Sequence, residues 1–196
     1  MDQPPPMTNR LVYGPFSVYA TGDLALPPNL VSLLALIAHY YYSPVMRQLL
    51  ASMPSRKRTG PSLRAIEWLL TIESFNNPIY TEGINLHGLY RSASDVLGHT
   101  KETFDPNRRQ VGKRSYRIWF DLEVDGKIQI LYSTVAAAHF LTFCVQNGIM
   151  QYAITHHVQI SKRMIEAVNN RKAERQASAK KGIKATRKTF RNIVKR

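Results

Sequence analysis

Residues 115–134 read "SYRIWFDLEVDGKIQILYST". Two runs of alternating apolar and polar residues flank Asp125-Gly126, the strongest short-range signal for a β-hairpin. A three-residue loop of Val124, Asp125 and Gly126 would set Glu123 opposite Lys127, Leu122 opposite Ile128, Phe120 opposite Ile130 and Ile118 opposite Tyr132. That register makes one face wholly apolar, closes the turn with an opposite-charge pair and puts glycine at the left-handed bulge position. A two-residue loop would instead place Leu122 against Gln129. The three-residue loop is the expected one.

Helical signals surround this hairpin. Downstream, Thr134 is placed to cap "VAAAHFLTFCVQN", a run apolar around most of its circumference and hence a buried helix, with Gly148 as its stop. Its Cys144 is the only cysteine, so no intrachain disulfide can form. In that apolar setting it reads as a small hydrophobe. A further helix follows, with apolar positions Ile154, Val158, Met164, Ile165 and Val168, growing polar as it leaves the core.

Upstream, "SLRAIEWLLTIESF" spaces Leu63, Ile66, Leu69 and Leu70 helically behind a Ser62 cap. Trp68 reads as a packing anchor. A short strand is expected at 79–81 and a helix over 84–98, weakened by Gly88. From an N-cap at Asn29 a helix runs to Tyr42, and Pro44 breaks it before a second one. Residues 1–28 hold six of the eleven prolines and read as an irregular arm. The expected architecture is therefore α+β: a mostly helical core domain at 29–168 with one β-hairpin at about 116–132, a proline-rich arm at 1–28 and a basic helical tail at 169–196.

Charge is distributed unevenly. The 196 residues carry 27 Lys+Arg against 13 Asp+Glu, a net +14. Residues 161–196 alone hold 13 basic and two acidic groups, a net +11, and leave the rest of the chain at only +3. Such asymmetry points to a dedicated polyanion-binding segment rather than a uniformly basic surface. The candidate phosphate contacts are Arg171, Lys172, Arg175, Lys180, Lys181, Lys184, Arg187, Lys188 and Arg191, with Ile183, Phe190, Ile193 and Val194 recurring near helical spacing between them. A second cluster precedes the hairpin: Arg108, Arg109, Lys113 and Arg114, interleaved further on with Tyr116, Arg117 and Trp119. Basic and aromatic side chains near one strand can hold phosphates and stack on bases; the competing reading packs Trp119 on a helix and leaves the arginines in surface ion pairs. A third basic run, Arg56, Lys57 and Arg58, reads as a solvated linker.

No phosphate-binding glycine loop, nucleophile elbow, zinc-protease helix or paired-cysteine motif occurs. His156 and His157 are adjacent, and one cysteine cannot build a structural zinc site. Any metal would have to be gathered from distant carboxylates such as Glu67, Asp95, Glu102, Asp105 and Asp121. Neither cofactor nor catalytic residue is expected. The apolar run at 30–42 is too short to span a bilayer and no secretory signal is read, so an intracellular setting is expected.

Three elements in order, "KETFDPNRR" at 101–109, "STVAAAHFLTFCVQNGIMQY" at 133–152 and "RKAERQASAKKGIKATRK" at 171–188, resemble those of an uncharacterised family from nucleocytoplasmic large DNA viruses. The resemblance covers roughly residues 62–190. Asn107 departs from it where an aromatic is usual, and Ala137-Ala138-His139 where Gln-Leu-Asn is usual. It implies an origin in a large DNA virus and a place on viral DNA or in the particle, in host cytoplasm, nucleus or virion; it implies no mechanism. The function expected is sequence-nonspecific nucleic-acid binding. The alternatives are a structural component whose tail meets an acidic protein surface, and a metal-dependent enzyme acting on nucleic acid.

Overall fold

A computed structural model describes residues 10–13, 16–19, 28–53, 60–95, 101–106, 117–124 and 127–193. The chain is α+β and mostly helical, as its sequence predicts. Its centre is α7 (Val135–Gln146), in which every residue from Val135 to Cys144 is buried. Thr134 caps it by accepting from the Ala137 amide at 3.1 Å, which satisfies one of the orphan donors of a helix start. It ends at Asn147 and Gly148, the latter at φ 67°, where the missing Cβ removes the left-handed penalty.

Other helices are layered around α7. They are α1 (Pro28–Tyr41), α2 (Pro44–Ser52) and α3 (Leu63–Trp68), the last continuing through a π-helical turn (Leu69–Glu73) into α4 (Ser74–Asn76). Helix α1 starts at Pro28, one residue ahead of the expected cap, because proline suits the first helical position. Pro44 starts α2 in the same way. Ser62 caps α3 through the Ala65 amide, and Trp68 packs half-buried on the core. One core cluster joins Leu34 and Ile37 of α1, Leu50 of α2, Ile66 of α3 and Phe140 of α7. Tyr41 crosses it to donate to the Ala138 carbonyl at 3.1 Å, and burial pushes its phenol pKa up. Cys144 is fully buried and its thiol is likewise pushed up by burial. A thiol-specific reagent should therefore leave Cys144 unmodified in the native chain and react only as the protein unfolds; prompt labelling under native conditions would contradict this burial.

The sheet departs from the sequence reading in two ways. Strands β5 (Arg117–Val124) and β6 (Lys127–Thr134) pair antiparallel with Val124 opposite Lys127, Leu122 opposite Gln129 and Ile118 opposite Ser133. The three-residue loop is thus wrong. Asp-Gly suits a two-residue connection whose twist matches its strands, and that turn preference outweighs one fully apolar face. Residues 10–19 are not an irregular arm either. They form β1 (Arg10–Tyr13) and β2 (Phe16–Tyr19), and β2 pairs with β5, giving the order β1-β2-β5-β6. A second, two-stranded ladder joins β3 (Tyr80–Thr81) to β4 (Ile84–Asn85) across Glu82 and Gly83, both at positive φ. It leads into α5 (Leu86–Asp95), capped by Asn85, which accepts from the Gly88 amide. A short α6 (Lys101–Phe104) packs on α7.

After α8 (Ile149–Thr155) the chain turns at His156 and enters α9 (His157–Ile193), a single helix of 37 residues. Its first turns bury Ile160 and half-bury Met164 against the core. Ile154, Val158, Ile165 and Val168, which the spacing suggested for the packed side, are exposed. Ile160 and Met164 lie about 40° apart around α9, whereas Val158, Ile165 and Val168 lie about 80–160° from Ile160, so the packed side is the one that Ile160 and Met164 share.

Candidate nucleic-acid interface

The tail cations ride on α9. Arg171, Lys172 and Arg175 are exposed, as is every residue from 168 to 178. Lys180, Lys181, Lys184, Arg187, Lys188 and Arg191 follow on the same continuous helix. Their offsets, i, i+1, i+4, i+7, i+8 and i+11, put all six on one stripe about 120° wide at 100° per residue. Ile183, Phe190 and Ile193 fall on the neighbouring stripe. Arg171, Lys172 and Arg175 belong to a different side, so the helix carries two cationic stripes in succession rather than one.

The root of this helix is fixed by an ion pair across the fold. Arg163 Nη1 donates to Glu73 Oε1 at 2.5 Å. Glu73 sits at the end of the π-helical turn and is buried, while the Arg163 side chain is 59% exposed. Asn77 Nδ2 also donates to Glu73 Oε1, at 3.3 Å. The pair clamps α9 to the α3 layer and so orients the charged extension. Removing the cation leaves a buried carboxylate short of a donor. Arg163→Ala should therefore lower stability by about 1–2 kcal/mol, the range for a charged hydrogen bond discounted for the solvent around Arg163. Arg91→Ala, which breaks the exposed i,i+4 pair with Asp95, should cost no more than about 0.5 kcal/mol. Denaturant unfolding of the two variants makes the comparison; equal losses would show that the clamp holds nothing.

The second cluster, Arg108, Arg109, Lys113 and Arg114, lies outside the described residues, as do Arg56, Lys57 and Arg58. Its two flanks are described. On one side, Phe104 of α6 is 3% exposed and inserted among aromatic rings: Tyr90 at 5.8 Å between centroids, His139 at 5.0 Å, Phe140 at 5.6 Å and Phe143 at 5.3 Å. The three contacts from α7 are edge-on, which the ring quadrupoles favour. His139 Nδ1 lies 2.9 Å from the Thr103 carbonyl oxygen, and burial pushes the Tyr90 phenol pKa up. On the other side the chain re-enters the sheet at Arg117. The Asp105-Pro106 step therefore follows a docked helix.

Sequence reasoning missed this plug because Phe104 meets its neighbours only through the tertiary fold. No local signal could have paired Thr103 with His139, 36 residues away. Among the described residues, no three His, Cys, Asp or Glu side chains come together as a metal-ligand set. Among the same residues, no helix is long and apolar enough to cross a membrane. His156 packs its ring against Tyr152, whereas His157 Nδ1 lies 3.1 Å from the Ile154 carbonyl, so the adjacent histidines have separate surroundings. Comparison with protein-family models, with curated proteins and with solved structures finds no match to this chain.

Proposed function

We propose that the chain is a non-catalytic nucleic-acid-binding protein that holds phosphates along α9 without reading base sequence. The observation that carries this reading is the union of charge and form in one element. A net +11 is concentrated in residues 161–196, and the helix that bears all of these charges but Lys195 and Arg196 runs unbroken for 37 residues. From Lys180 to Arg191 the cationic stripe rises about 17 Å. A helix about 10–12 Å across matches the roughly 12 Å width of the B-form major groove. Arg108, Arg109, Lys113 and Arg114 would add phosphate contacts from the body.

The resemblance to a family from large DNA viruses makes viral DNA or the particle the proposed setting. Affinity should come from release of condensed counterions, because nothing in the stripe is built for base-edge hydrogen bonding. Titration of a labelled duplex across a salt series tests it. Five or six phosphate contacts at about 0.9 per contact give a log–log slope between about −4 and −6. A slope near zero, or no binding at low salt, would sink the proposal.

The second reading is a protein-binding or structural component meeting an acidic partner. Phe75 of α4 and Tyr80 and Ile84 of the β3–β4 ladder favour it, each being a large apolar side chain left exposed. It predicts a partner that stays bound after nuclease digestion.

A further inference from the structure

The four-stranded sheet has one face committed to the core. Ile118 of β5 is completely buried in the cluster built by α1, α2 and α7. The helices lying chiefly against the sheet are those same three. Strand alternation assigns the remaining positions. Leu11, Phe16, Val18, Phe120, Leu122 and Leu131 share the Ile118 face, a largely apolar set with Lys127, Gln129 and Ser133 as its polar positions on β6.

The opposite face has another chemistry. Arg10, Tyr19 and Arg117 occupy one row across three strands. In the next row Trp119 of β5 is paired directly with Tyr132 of β6. Beyond them, toward the hairpin end, Asp121 is paired with Ile130 and Glu123 with Ile128. Basic and aromatic positions are thus gathered at one end of the face and carboxylates at the other. The basic run 108–114 leads along the chain into the Arg117 end.

We propose that this face is a platform for single-stranded nucleic acid. Bases stack at Trp119 and Tyr132, with Tyr19 beside them, and Arg10 and Arg117 meet the backbone phosphates. Paired strands hold the two aromatic positions about 5 Å apart, and successive rows are about 7 Å apart, so several unstacked bases can be served at once. A duplex offers no free base faces and gains nothing here. Asp121 and Glu123 repel phosphate, so the strand is confined to the Arg117 end. The idea rests on the nucleic-acid reading above and adds to it a ligand class, single strands, that the tail alone would not distinguish.

The test uses the full chain with a labelled 12-nucleotide oligothymidylate and a labelled 12-base-pair duplex at one salt concentration. Trp119→Ala and Tyr132→Ala should each weaken single-strand binding about 5- to 150-fold, the span for one lost base stack, and leave duplex affinity within about twofold. If an alanine variant does not fold, Trp119→Phe decides. Single strand should quench the fluorescence of the wild-type chain, and that quench should be absent from Trp119→Phe while its affinity is kept. Folded alanine variants that bind single strands like wild type, or a wild-type chain with no quench, overturn the platform and leave the tail reading intact. A wild-type chain that binds neither oligonucleotide overturns both.

Discussion

Truncation after Asn170 is expected to abolish salt-steep duplex binding and to leave the fold standing. Every residue from 168 to 178 is exposed, and among the side chains described the last packed on the core are Ile160 and Met164. Loss of exposed side chains usually changes stability by no more than about 0.5 kcal/mol. For a chain of this size that is a shift of about 2 °C or less in Tm. Binding should change far more. A chain with about six phosphate contacts loses on the order of 10³-fold in affinity between 50 and 200 mM salt, and the truncated chain, stripped of those contacts, should show weak binding and a nearly flat slope. Replacing Lys180, Lys181, Lys184, Arg187, Lys188 and Arg191 by glutamine separates charge from helix. That variant keeps α9 yet should lose about five units of slope, at roughly 0.9 per contact. Binding unchanged in both would move the interface to Arg108, Arg109, Lys113 and Arg114. A truncated chain that fails to fold would mean that α9 supports the core beyond Met164.

What the sequence revealed and what it hid follow from the range of the interactions. Caps and stops are local, so Ser62, Thr134 and Gly148 were legible and stand where the helices begin and end. The charge on α9 is a property of composition and was legible too. Register was not, because it is a contest between turn chemistry and facial pattern, and a one-residue slip exchanges the faces. Choosing the three-residue loop set Ile118 against Tyr132. The true register sets Trp119 against Tyr132 instead, and the proposed platform depends on that pairing. The strands of residues 10–19 were obscured by proline. Yet "LVY" and "FSVY" on either side of Gly14-Pro15 are rich in β-branched and aromatic residues, and that strand propensity was there to be weighed against the proline count. On α9 the apolar residues fall on two sides, Ile160 and Met164 on one and Val158, Ile165 and Val168 on another, and spacing alone does not say which side meets the core.

Phe104→Ala should be among the most damaging single substitutions in the described core. The ring is buried among Tyr90, His139, Phe140 and Phe143, and deleting a buried phenylalanine costs about 3–5 kcal/mol in lost transfer energy and cavity. At about 2–4 °C per kcal/mol for a chain of this length, Tm should fall on the order of 10 °C. Phe104→Leu keeps much of the volume and gives up the edge-on ring contacts, so it should lose about 1–2 kcal/mol. The ordering Ala well below Leu is the diagnostic. It would mean that the element "KETFDP" is held by its aromatic plug, and that the basic run following it inherits a fixed starting point against α7. Function then provides a second readout. A loosened plug frees the end of α6, and holding the basic run that follows it in sequence against phosphate costs more. Phe104→Leu, still folded, should weaken nucleic-acid binding by a few-fold at unchanged tail charge. A Phe104→Ala chain that melts within about 2 °C of wild type would show that the cavity collapses without cost, contrary to the packing around this ring.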